Sequence, residues 1–99
     1  EYFSDLDAIA AVLQSSPAAT ARIEGHTDPT EAGSSRKRKR LTTRRAESVG
    51  QYLQQNWKLS GSRLESVGYG DARPKAANAP RTGNPENRRI EIYVKHAKP

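Results

Sequence analysis

The sequence predicts a small α/β fold, a two-layer α+β sandwich in which a mixed sheet carries its helices on one face. Three observations lead there. Apolar residues recur at helical spacing over residues 5–16 and about 35–55. They alternate with polar ones over 20–25, 63–69 and 88–95. The two kinds of segment interleave as helix, strand, helix, strand, long loop, strand. That order needs crossover connections, which lay helices against a sheet.

In the first helix Leu6, Ile9 and Leu13 form the stripe, with Ala10 and Val12 beside it. Ser4 is its expected N-cap, Asp5 and Asp7 suit the positive first turn, and Pro17 ends it. The first strand sets Ala21 and Ile23 on one face and Arg22 and Glu24 on the other. Residues 26–35 are a loop with Pro29 and Gly33. The second helix starts at Ser35 or at Leu41 and runs to Gln55, with Leu41, Ala46, Val49 and Leu53 inward and Tyr52 at the flank. After a turn, the second strand offers Leu64, Val67 and Tyr69. An excursion over 70–86 carries Pro74, Pro80 and Pro85. The last strand alternates cleanly: Ile90, Ile92 and Val94 inward, Arg89, Glu91 and Tyr93 outward. The first helix has no strand before it, so a further strand is expected upstream of residue 1. The whole of 1–99 reads as one domain, with its core within about 2–94.

Composition narrows the function classes. The 99 residues contain no cysteine, which excludes a disulfide scaffold, a thiolate zinc site and a thiol nucleophile. The longest apolar run, 8–13, is too short to cross a bilayer. No signal peptide is present, so an anchor or export signal is expected outside this chain. The net charge is +6, from 17 Lys and Arg against 11 Asp and Glu. Five of those cations are consecutive: Arg36, Lys37, Arg38, Lys39 and Arg40. Removing them leaves 12 against 11, so the basicity is one local block. It has no aromatic neighbour, unlike the interleaved surface of a nucleic-acid binder. It reads first as a solvated loop or first helical turn, lying in an enlarged loop, and second as a polyanion or nucleic-acid patch.

Four motifs carry recognition. Gly25-His26-Thr27-Asp28 stands where the first strand leaves the sheet, the usual place for sites in open α/β sheets. Leu41-Thr42-Thr43-Arg44-Arg45-Ala46 lies in the second helix, Gly68-Tyr69-Gly70 closes the next strand, and Asn87-Arg88-Arg89-Ile90-Glu91 opens the last. In this order and spacing the motifs resemble the OmpA-like C-terminal domain, a family that includes the peptidoglycan-associated lipoprotein and the flagellar motor B subunit. The resemblance runs from about Tyr2 to Val94.

The resemblance implies noncatalytic binding of peptidoglycan through the diaminopimelate of its stem peptide. It implies a periplasmic domain that anchors an envelope protein to the cell wall, attached to the outer or inner membrane through a segment outside this chain. By motif position Asp28 and Arg45 hold the ligand, Arg88 assists, and Thr30 falls in the same loop. Gly25, His26, Thr27, Leu41, Thr42 and Asn87 support them, and Arg38 stands where the family carries Asn. The Asp28–Arg45 loop is about two residues longer than the family's. The chemistry is sensible in itself. Diaminopimelate presents an ammonium and a carboxylate on one carbon, so a site needs a fixed anion and a fixed cation a few ångströms apart. A guanidinium fork suits the carboxylate, and a short Asp suits the ammonium.

Each residue also has a plainer role: Asp28 before Pro29 as a turn initiator, Arg45 as an exposed cation, Arg88 as an ion-pair partner at the sheet edge, His26 as a structural residue. An enzyme is not expected. There is no Gly-x-Ser-x-Gly elbow, and no serine is marked as a nucleophile. His26, Asp28 and His96 match no metal-ligand spacing, so neither metal nor cofactor is expected. The expected partner is peptidoglycan, not nucleic acid, with room for a homodimer.

Overall fold

The computed structural model describes residues 2–96, with side chains from residue 5. Two helices, α1 (Tyr2–Ser15) and α2 (Ser35–Trp57), pack on one face of a sheet formed by β1 (Thr20–His26), β2 (Leu64–Gly68) and β3 (Arg89–Lys95). Short 3-10 turns over Gly61–Arg63 and Pro85–Asn87 lead into β2 and β3. The strand order is β2-β1-β3. β1 runs parallel to β2, across the α2 crossover, and antiparallel to β3. The sheet is therefore mixed, as expected for the fold class: the α2 crossover gives the parallel pair, and β3 adds the antiparallel one.

α1 buries Leu6, Ala10 and Leu13, while Val12 is exposed. The helix already runs at Tyr2, so Ser4 lies within it and not at its N-cap. Asp5 keeps its place in the first turn, but Asp7 lies beyond it and takes a different role. Its Oδ1 accepts from the Tyr52 hydroxyl (2.7 Å) and the Trp57 indole N–H (2.8 Å), pinning α1 to the far end of α2. One side chain gathers carbonyls from the last turn of α1 through the connection to β1: the Arg63 guanidinium donates to Leu13 O, Ser16 O and Ala19 O.

Ser34 caps α2, its Oγ accepting from Lys37 N–H. Helix therefore starts ahead of the basic block, and 36–40 occupies the first turns of α2, not an enlarged loop. The buried positions are Thr42, Ala46, Val49, Gly50 and Leu53. Leu41 is half-exposed, and Thr42 takes the place expected for it. The reason lies in the sheet. A Cβ on Gly25 would stand 2.2 Å from Thr42 O, and one on Gly68 only 2.3 Å from Thr43 N. Gly25 and Gly68 are register partners in β1 and β2. Together they let the N-terminal half of α2 lie backbone against backbone on the strands, where no leucine fits.

The helix-covered face holds Ala21, Ile23, Leu64, Ile90, Ile92 and Val94 against Leu6, Leu13, Val49, Leu53 and Leu59. Val67 and Tyr69 alternate onto the other face with Arg22, Glu24 and His26, so they do not share a face with Leu64. Glu24 is buried there, not outward in solvent as the alternation predicted. Arg22 donates to Glu24, to Glu65 and to the Tyr69 hydroxyl, roofing the carboxylate over.

Candidate functional site

The site forms where β1 ends. Thr27 N–H donates to Gly70 O, and Gly70 N–H to Thr42 Oγ1, so the strand exit, the β2 exit and α2 are tied at one point. From there the loop turns over Asp28 and Thr30 into α2.

Asp28 is fully buried. Its Oδ1 accepts from the backbone and the hydroxyl of Thr30. Its Oδ2 accepts from Asn84 N–H (3.2 Å) and from Arg88 Nη1 (2.6 Å). A carboxylate has about four acceptor positions, and all are taken. Gly83 crosses directly above, where a Cβ would stand 2.6 Å from the carboxylate. The resemblance gives Asp28 the ligand's ammonium, but here it is a closed knot between segments 56 and 60 residues away. Burial pushes its carboxyl up. The hydrogen bonds from Thr30 and Asn84 and the Arg88 charge outweigh that and hold it below the ordinary value.

Arg45 reaches back to the same loop and grips Glu31 with two parallel bonds, Nη1 to Oε1 (2.7 Å) and Nη2 to Oε2 (3.0 Å). The Thr27 hydroxyl also donates to Oε1. The pair faces solvent, with 43% of the Arg45 side chain and 27% of the Glu31 side chain exposed. The Arg45 bonds, then that of Thr27, hold the Glu31 carboxyl below its usual value against burial. The bonds to Glu31 in turn raise Arg45, against burial. Arg88 precedes β3. Its side chain is one-third exposed, and its Nη1 lies 3.4 Å from the Thr30 hydroxyl. It is an ion-pair partner, of Asp28.

The supporting residues divide. Arg38 donates to Pro29 O and sets its Nε 3.1 Å from Asp71, tying the loop to the segment after β2. Asn87 is buried and spends its whole amide on 75–78: it accepts from Lys75 and Ala76 N–H and donates to Ala76 O and Asn78 Oδ1. Thr42 and Gly25 form the tight seat, and Leu41 makes no polar contact with the site. His26 turns to the helix-free face, where it stacks on Tyr69 at 5.3 Å between centroids and sets Nε2 3.1 Å from Glu24. Its carboxylate neighbour is thus Glu24 and not Asp28. Glu24, His26 and Glu91 bring donor atoms within 4.8 Å of one another. Each carboxylate there already carries an arginine, Arg22 or Arg89, which makes the cluster an ion-pair network.

The residues that sequence reasoning missed are Glu31, Asn84 and Gly83. The extra loop length was visible, but not which of its side chains turns toward Arg45. What results is an amphoteric patch: two guanidinium tips, one open carboxylate and a hydroxyl. It suits a ligand carrying both a carboxylate and an ammonium.

Known proteins resemble this chain in sequence and in fold. The model of the OmpA family matches residues 1–88. Outer membrane porin F of Pseudomonas aeruginosa is 35% identical over 92 residues, 93% of this chain and 26% of that protein. The peptidoglycan-binding protein ArfA of Mycobacterium tuberculosis is 37% identical over 89 residues, 90% of this chain and 26% of its own length. The chain thus spans about a quarter of these curated relatives. Among solved structures, the peptidoglycan-associated lipoprotein of Burkholderia pseudomallei superposes with a TM-score of 0.83 at 29% identity, over 95% of this chain and 77% of that one. The cell wall anchor of the type VI secretion system of P. aeruginosa gives 0.77 at 28%, over 98% and 67%. The sequence motifs, the mixed sheet under two helices and the matched family model agree: the chain belongs to the OmpA family.

Proposed function

We propose that this chain binds peptidoglycan without catalysis, through the diaminopimelate of the stem peptide, and so anchors an envelope protein to the wall from the periplasm. The observation that carries this is a pair of guanidinium groups, the solvent-facing Arg45 fork and Arg88, each seated by a carboxylate of the same loop. A ligand carboxylate meets Arg45 and Arg88, and the Thr30 hydroxyl adds a neutral contact. Asp28 acts by fixing Arg88 and Thr30 in place. The named wall-binding and wall-anchoring relatives support this reading.

The test is cosedimentation with purified sacculi. Retention is expected on walls cross-linked through diaminopimelate and not on walls with lysine in its place. Asp28→Ala should lose retention while keeping its far-ultraviolet circular dichroism. Equal retention on both wall types would sink the stem-peptide assignment. Retention abolished by competing plain DNA would favour a polyanion module built on 36–40.

A further inference from the structure

We propose that Glu31 is a specificity-determining residue of this site, supplying the anion that receives the ligand's ammonium. The inference rests on the wall-binding reading above and assigns a part of the site that the family motifs leave to Asp28.

Acceptor positions decide the matter. Every one on Asp28 is filled by a protein donor, and Gly83 covers it. An incoming ammonium would have to expel Arg88 or unfold the 28–30 turn. Glu31 differs. Its Oε1 is occupied by Arg45 Nη1 and the Thr27 hydroxyl, whereas among the described residues its Oε2 accepts from Arg45 Nη2 alone. One acceptor position on Oε2 stays open on a side chain that reaches solvent. Arg45 likewise uses two of its five N–H donors on Glu31 and keeps the rest.

The anion and the cation therefore stand 2.7–3.0 Å apart, side by side, each with capacity left. A carbon bearing an ammonium and a carboxylate can lay its charges antiparallel on this pair. The loop holds Glu31 in place. Glu31 O accepts from Gly33 N–H, and Ala32 and Gly33 both take left-handed backbone (φ 64° and 78°), reversing the chain so that Glu31 turns toward Thr27 and Arg45. A ligand with the carboxylate but no ammonium would bring a second anion to the arginine that Glu31 already pairs, with nothing of its own to offset the repulsion. Glu31 thus rejects blocked amines as well as welcoming free ones, a repulsive element built into the site.

The experiment is calorimetric titration of the wild type and Glu31→Gln. One probe is a stem tripeptide ending in meso-diaminopimelate with its free amino-acid centre. The other is the same peptide N-acetylated at that centre. The wild type should prefer the free amine. Glu31→Gln should lose about 10- to 30-fold on the free amine, the scale of a charge-assisted hydrogen bond, and bind both peptides within about threefold of each other. Unchanged or tighter binding of the free amine by Glu31→Gln would overturn the proposal. So would an equal loss on both peptides, which would mean that Glu31 only positions Arg45. Wild type binding neither peptide would overturn the underlying wall-binding reading, and the proposal with it.

Discussion

The two ends of α2 rest on the sheet in different ways. Toward its C-terminus, Val49 and Leu53 pack on an apolar layer, and Asp7 fastens Tyr52 and Trp57 to α1. Toward its N-terminus there is almost no side-chain layer. Thr42 and Thr43 lie directly on Gly25 and Gly68, and the outer surface carries Arg36, Lys37, Lys39, Arg40 and Arg44, all exposed. Cations at that end oppose the helix dipole, and its first turn has no acidic residue to offset them. One helix thus keeps stability at one end and recognition at the other, and the two should respond separately to substitution.

Leu53→Ala tests the separation most severely. Leu53 is fully buried, so the lost contacts and the cavity should cost about 3–5 kcal/mol of unfolding free energy. Affinity of the remaining folded protein for the stem peptide should stay within about twofold. A parallel loss of affinity, measured by calorimetry well below the denaturation midpoint, would show that the two ends are coupled.

Arg45→Ala is the converse. With the side chain 43% exposed, its removal should cost about 2–3 kcal/mol of binding, or roughly 30- to 150-fold in affinity. Stability should move by less than about 1 kcal/mol, because the Glu31 pair is solvent-facing. Lys should rescue little, since an ammonium lacks the two-pronged fork. Arg44, about 100° round the helix, is the control. Equal losses from Arg44→Ala and Arg45→Ala would replace the two-point site with a diffuse basic surface.

The smallest effect is expected from the basic block. Arg36, Lys37, Lys39 and Arg40 changed together to Gln, with Arg38 kept because it holds Pro29 and Asp71, should leave binding of the free peptide within about threefold. Binding to intact anionic sacculi should weaken more and lose its salt dependence. A tenfold loss on the free peptide would place the block inside the site.

Much of the fold could be read in advance because its signals are local. The alternation of Ile90, Ile92 and Val94 needs no partner to be recognised, and neither does the Leu6–Leu13 stripe. The motif residues around β1, α2 and β3 do converge on one end of the sheet. The misplacements all depend on contacts distant in sequence. Leu41 yields to Thr42 because a glycine 17 residues earlier brings β1 too close for a leucine. Glu24 is buried because Arg22, Glu65 and Tyr69 assemble over it from two strands. Asp28 is closed because Asn84 and Arg88 arrive from the other end of the chain. Glu31 belongs to no motif, and it is aimed by the turn at Ala32 and Gly33 together with the bonds from Thr27 and Arg45.

The glycine seat also has a mechanical meaning. In the proposed role the ligand is part of a wall under tension, and force enters the protein at Arg45. Three residues back along α2 is Thr42, whose carbonyl rests on Gly25, and its neighbour Thr43 rests on Gly68. Those glycines are paired in the parallel β1–β2 ladder. Load therefore passes from helix backbone to strand backbone without crossing a layer of rotatable side chains, the most compliant material in a folded chain. A methyl group at either glycine would lift the helix and put a softer joint in series with the anchor.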